Sequence, residues 1–360
     1  MNAATVPLQQ AFGGASLSVL YLGHRYGTSG YRAAALRRLG HQVEIVDPYE
    51  FLPRLPGIGA YAYLSGGAIV STLVARATLK RVSNRSFDVA WIDGGALVGA
   101  ALVRALRARG MRTVNYNHDD PFGERDWVYW RQYRRAVPEY DLLAVVRTEN
   151  IAEARRAGAK NVMHIFRSAD EVAHAPQRLT VDETAQWASE VLFVGTWMPE
   201  RGPFMRDLLL AGVPLAIYGN GWHKDRDWSV LAKAWRGAAL DTTGEYARAI
   251  QSAKICLGLL SKGNRDLHTT RSLEIPSLGG LLLAQRTSEH LLLYRENEEA
   301  VFWTDAGECA QKCRWLLADD TLRRRIAAAG RRRAFSNAHF NETAVASILA
   351  VLGFGRSDAQ

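Results

Sequence analysis

Short apolar runs rich in Val, Ile, Leu and Tyr recur along this chain with helical segments between them, and the series runs twice. A strand that is apolar throughout must be covered on both faces, and a helix after each strand supplies the cover. This is the pattern of a parallel, doubly wound sheet. In the first half the strands are expected at LSVLYLG (17–23), QVEIVD (42–47), FDVAWID (87–93), RTVNYN (112–117), LLAVV (142–146) and NVMHIF (161–166). The pattern lapses over RSADEVAHAPQRLTVDETAQWAS (167–189), which is polar and carries Pro176. It restarts with EVLFVG (190–195), LAIYG (215–219), KICLGL (254–259), GLLLAQ (280–285) and AVFW (300–303). The expectation is an α/β chain of two Rossmann-like, doubly wound domains facing a central cleft. The boundaries read as 1–170, a linker 171–189, a second domain 190–338, and a C-terminal helical piece, 339–360, that can pack back on the first domain.

Composition limits the partners. The 360 residues are 48% hydrophobic and 22% charged, as expected of patterned globular domains. No apolar stretch reaches the roughly 18 residues of a membrane-spanning helix, and MNAATVPLQQAFGGAS lacks the features of a signal peptide. A cytoplasmic location is expected, with three cysteines that suit a reducing compartment. The net charge of +9 favours anionic partners. Its densest run, RRRIAAAGRRRAF (323–335), reads as a solvated helix face or as a contact to the inner face of a membrane or another polyanion. Nucleic acid is disfavoured because aromatic residues do not interleave with the basic ones.

Ligands of open α/β sheets bind at the carboxyl ends of the strands. The stretch NRDLHTTRSLEIPSLGG (264–280) lies there, with Asp266 and Glu274 eight apart and Arg271 three before Glu274. A carboxylate so placed can accept both hydroxyls of a ribose, and a guanidinium can fork onto a diphosphate; equally, the pair can lock a helix to the sheet. Residues 243–335 resemble CgeB-like glycosyltransferases, relatives of the group-1 GT-B enzymes. The resemblance rests on YARAIQSA (246–253), the strand KICLGL and the run R-S-L-E-I-P-S-L-G-G. It implies that Glu274 holds the donor ribose, with Gly279 in the same motif, and that Asp266 stands at the first position of an E-x7-E pair.

VLFVGTWMPERG (191–202) resembles the family's phosphate loop, which puts Gly195 and Thr196 beside the diphosphate and Arg201 where a Lys is frequent. Tyr218 and Gly219 resemble the loop beside the nucleobase. In the first half, TVNYNHDDP (113–121) ends a strand at His118 and Asp119. The resemblance puts His118 at the transferred sugar or leaving group and Asp119 at the acceptor or as base. Asp93 is a rival base; His24, Arg25 and Trp127 are candidates for the acceptor side.

The function implied is transfer from a nucleoside-diphosphate sugar (UDP-, GDP- or dTDP-linked), without a metal and with retention, in polysaccharide biosynthesis or on a metabolite. No cofactor is expected, and the acceptor is a glycan, a lipid-linked glycan or a small molecule. The competing readings are a nucleotide-sugar epimerase of the same fold and a non-catalytic polyanion-binding protein.

Overall fold

The computed structural model describes residues 16–240 and 244–354. The N-terminal stretch read for a signal peptide lies outside the described residues up to residue 15, as do residue 243, which opens the family-like region, and residues 355–360 of the C-terminal piece. The chain divides into two compact units, residues 1–166 with 341–360, and residues 167–340.

The first unit holds a parallel sheet of six strands: β1 (Ser18–Leu22), β2 (Gln42–Val46), β3 (Val89–Asp93), β4 (Arg112–Asn117), β5 (Leu142–Val145) and β6 (Val162–His164). Their order is β2-β1-β3-β4-β5-β6. The central strands β1, β3, β4 and β5 are buried along all but an end residue at most, as strands covered on both faces require. One face packs Leu20, Ile92 and Val145 under the helices Ala100–Ala108 and Arg131–Ala136. On the other face, Val19, Tyr21, Trp91 and Val114 meet Val345, Ile348 and Leu349 of the helix Asn341–Leu349. The last helix therefore completes the core of the first unit, tied by Arg38 Nε to Glu342 Oε1.

The second unit repeats the plan with β7 (Ser189–Val194), β8 (Leu215–Tyr218), β9 (Trp235–Gly237), β10 (Ala253–Gly258), β11 (Leu282–Gln285) and β12 (Val301–Trp303), in the order β12-β11-β10-β7-β8-β9. All pairings are parallel. β9, a three-residue edge strand, was absent from the sequence reading: Trp-Arg-Gly has no apolar run, and its pairing with β8 is irregular.

Residues 171–189, read as a linker, count with the second unit and carry the helix Val181–Trp187. Thr180 and Glu183 form a reciprocal capping box at its start, a T-x-x-E signature that offsets the polar composition of the segment.

Candidate functional site

In each unit the strand order reverses once, between β1 and β3 and between β7 and β10. Loops diverge at such a point and leave a crevice at the carboxyl ends of the strands. In the first unit a cavity of about 270 Å³ opens there, lined by residues at or just past the ends of four strands: Gly23, His24 and Tyr26 to Ser29, Pro48 and Tyr49, Asp93 to Val98, and His118 with Asp119. Four residues singled out from sequence, His24, Asp93, His118 and Asp119, thus share one cavity. Arg25 and Trp127 do not line it. Arg25 pairs with Glu50 at 2.8 Å, and Trp127, 53% exposed, lies under the Arg134 guanidinium at 3.4 Å.

The cavity groups differ in freedom. Asn117, the buried last residue of β4, accepts the Asp119 N–H at 2.9 Å, and Arg147 donates to the His118 carbonyl. The backbone is thus fixed while both side chains stay 35% and 40% exposed, with Nε2 of His118 3.7 Å from the Asp119 carboxylate. His24 Nδ1 lies 2.9 Å from Asp47, and that hydrogen bond raises the imidazole above its ordinary value. Asp93 is different. Arg32 Nε and Nη2 reach its two oxygens at 2.6 and 2.9 Å, and the Tyr21 hydroxyl donates at 2.7 Å. Burial would raise this carboxyl, but Arg32 outweighs it and holds Asp93 below the usual carboxylate range. A carboxylate with its charge compensated this way is a weak base, so Asp93 anchors the helix Gly27–Arg38 to β3.

In the second unit the Arg271–Glu274 pair forms on the first turn of the helix Arg271–Ser277. Glu274 also accepts from the Tyr246 hydroxyl at 3.0 Å and faces Nε2 of His174 at 3.5 Å. Nδ1 of His174 accepts the Asp170 N–H at 2.8 Å, which assigns the imidazole proton to the nitrogen facing Glu274. Burial opposes ionisation of Glu274, yet Arg271 and His174 hold it below its ordinary value. The carboxylate is 1% exposed, whereas the Arg271 side chain is 29% exposed, donating from Nε to the Val194 carbonyl and packing over Tyr246. In this structure the guanidinium is the accessible member of the pair, and Glu274 with Tyr246 orients it.

Asp266, the other carboxylate of the motif, pairs with Arg167 at 2.7 Å and is buried. Arg167 also donates its backbone N–H to Nε2 of His268, whose Nδ1 meets Glu289. Asp266 is thereby committed to this buried network. Gly279, with φ +85°, is the left-handed residue that closes the helix Arg271–Ser277, and this explains the glycine without a ligand.

The loops after β7 and β8 touch. A Cβ on Gly219 would sit 1.9 Å from the Gly195 carbonyl oxygen, and one on Gly195 2.7 Å from the Phe193 ring. Arg201 is buried; its Nη1 donates to the Thr196 carbonyl at 2.7 Å, and its Nη2 lies 3.5 and 3.4 Å from the carbonyls of Leu259 and Leu260. It therefore ties the loops after β7 and β10 together across the reversal point. Tyr218 is half-buried at the end of β8 and packs near Trp187. A cavity of about 300 Å³ adjoins Arg201, with Lys262, Phe204, Gln285, Trp303 and Asp305 in its wall. Among the described residues, no three His, Cys, Asp or Glu side chains converge as a metal site would require.

Residues 201–350 match the model of a family described as glycosyl transferase-like. No curated protein sequence matches the chain. Solved structures match over nearly the whole of it. Sucrose-phosphate synthase from Thermosynechococcus elongatus superposes with a TM-score of 0.68 at 15% identity, covering 94% of this chain and 98% of that one. HepE from Anabaena, solved in complex with UDP and glucose, gives 0.64 at 12% identity over 94% and 99%. A protein from Listeria monocytogenes termed a putative UDP-N-acetylglucosamine 2-epimerase gives 0.58 at 11% identity over 93% and 95%. The fold is GT-B.

Within this GT-B chain, the residues that sequence reasoning passed over are those that hold the conspicuous ones. Arg32, His174, Tyr246 and Arg167 each pair with a residue singled out from sequence, at separations from 28 to 100 positions. No local pattern announces such partners. Lys262 was legible in principle, as a cation just past the carboxyl end of β10.

Proposed function

We propose that this chain is a glycosyltransferase that moves a sugar from a nucleoside-diphosphate sugar to an acceptor hydroxyl. The observation that carries the reading is the coincidence of a GT-B fold with a glycosyl transferase-like match over residues 201–350, the stretch that contains the Arg271–Glu274 pair. The second unit holds the donor. Arg271, oriented by Glu274 and Tyr246, takes the diphosphate, where charge builds as the glycosidic bond breaks. Arg201 shapes the adjoining loops and, with Lys262, adds positive potential. Glu274 at the donor ribose remains part of the proposal; because the carboxylate is buried, that contact requires Tyr246 or Arg271 to move aside on binding.

The cavity of the first unit receives the acceptor, a glycan, lipid-linked glycan or metabolite. His118 and Asp119 line it with exposed side chains and are the groups proposed to touch the reacting atoms. Transfer is proposed to run without a divalent metal and with retention; strict dependence on manganese would overturn the first, and an inverted product anomer by NMR the second. UDP is favoured as the nucleotide because HepE was solved with it.

The test is a thermal-shift screen of UDP, GDP, dTDP, ADP and CMP and their sugars. A ligand at 100 times its dissociation constant stabilises by about 2.7 kcal/mol, and no shift with any of them would refute the reading. The epimerase-like neighbour supports a second reading of the same donor site. An epimerase converts the donor alone, whereas a transferase needs an acceptor, so incubation of the nucleotide sugar by itself separates them.

A further inference from the structure

Residues 51–87 contain no Asp or Glu and five Arg or Lys. The first unit folds the middle of this stretch into two helices, Ile58–Ser65 and Ala68–Arg81, bent by 112° at an elbow made of Gly66 and Gly67. The first helix buries only Ala62, leaving Tyr61, Tyr63 and Leu64 45%, 44% and 73% exposed. On the second, Val70 and Val74 join Ala62 and Leu97 in a small core. Its outer stripe begins with Ile69 and Leu73, 64% and 41% exposed, and continues at helical spacing to the exposed Arg76 and Lys80. A helix covered only by water carries polar residues on that face. This one is apolar at the elbow and cationic toward its far end, where Arg81 follows.

The surroundings extend the pattern. Val128, 39% exposed, adjoins the elbow, its carbonyl 2.4 Å from where a Cβ on Gly66 would sit. The neighbouring acid, Asp126, accepts from the Tyr63 hydroxyl and pairs with Arg125. Arg54, Arg76, Lys80 and Arg81 are all exposed and have no ion-pair partner among the described residues.

We propose that this elbow is a membrane-docking surface that seats the first unit on an anionic lipid bilayer. Leu64, Ile69 and Leu73 enter the boundary between headgroups and acyl chains. Tyr61 sits at headgroup level, and Arg76, Lys80 and Arg81 meet lipid phosphates. The lack of acidic residues selects a negatively charged surface over a zwitterionic one. The elbow lies on the bilayer without crossing it, because the inner faces of both helices are already taken by the unit's own core. This docking does not depend on the transfer reading, and its test uses no substrate.

The full chain is sedimented with vesicles of phosphatidylcholine containing about 30 mol% phosphatidylglycerol, and with pure phosphatidylcholine. Binding is expected to the anionic vesicles and to weaken strongly at about 0.5 M salt, where screening is short-ranged. Arg76→Gln/Lys80→Gln/Arg81→Gln should weaken binding about a hundred-fold, at roughly five-fold per cation. Leu64→Ser/Ile69→Ser should weaken it at least about ten-fold through lost apolar burial. Arg324→Gln/Arg331→Gln/Arg332→Gln, on the other basic helix, should leave it within about two-fold. All the substituted side chains are exposed, and circular dichroism checks each fold. The proposal falls if the wild type ignores anionic vesicles, or if the second basic run carries the binding. It falls equally if Leu64→Ser/Ile69→Ser abolishes a self-associated species in sedimentation velocity without changing vesicle binding.

Discussion

Glu274→Gln keeps the shape of the side chain and removes its charge, leaving the Arg271 guanidinium without its counter-charge. Glu274 is 1% exposed and is approached by Arg271, Tyr246 and His174. Breaking a buried pair by neutralising one partner costs about 3–5 kcal/mol, and the lower end applies because water can reach a partly exposed Arg271. For a unit of this size, about 3 kcal/mol lowers Tm by about 6–12 °C. Calorimetry reads that shift, and a double-mutant cycle with Arg271→Met should return a coupling of about 2–3 kcal/mol. The same pair fixes the pH dependence. The folded carboxyl titrates below its unfolded value of about 4.3, so its contribution is complete above that pH. It is lost as pH falls through the lower folded value. A Tm within about 1 °C of wild type, with coupling under about 0.5 kcal/mol, would show that the pair does not organise the site.

Four further outcomes follow from the geometry. A Cβ on Gly202 would lie 1.6 Å from the Asp225 carboxylate, which accepts the Trp197 indole N–H, so Gly202→Ala should destabilise by about 1–3 kcal/mol in urea unfolding. Asp93→Asn should lower stability by about 3–5 kcal/mol because it breaks a buried pair with Arg32. His118→Ala should leave Tm within about 1 °C and reduce transfer about 10²–10⁴-fold; the opposite split would exchange the roles given to these residues. Glu308, hydrogen-bonded to Arg286 and Thr304, is held at about 2, so its NMR titration midpoint should move up toward about 4.3 in Arg286→Gln.

The strands were legible because a parallel strand is an unbroken apolar run, and β1, β3, β4, β7 and β10 each lie within a residue or two of the expected bounds. Their carboxyl ends were legible too, so His24, Asp93, His118 and Asp119 could be singled out before the cavity they line was seen. Arg271 and Glu274 were readable as a pair because three positions on a helix is a local distance. What the sequence could not supply was which polar groups are free and which are committed. Asp93 and Asp266 look like reactive carboxylates in one dimension, and each is neutralised by an arginine 61 or 99 positions away. The helix Asn341–Leu349 and the segment 171–189 found their units for the same reason. Apolar periodicity tells a segment what kind of surface it needs; only packing in three dimensions decides which surface it receives, and which charges are sealed together when it does.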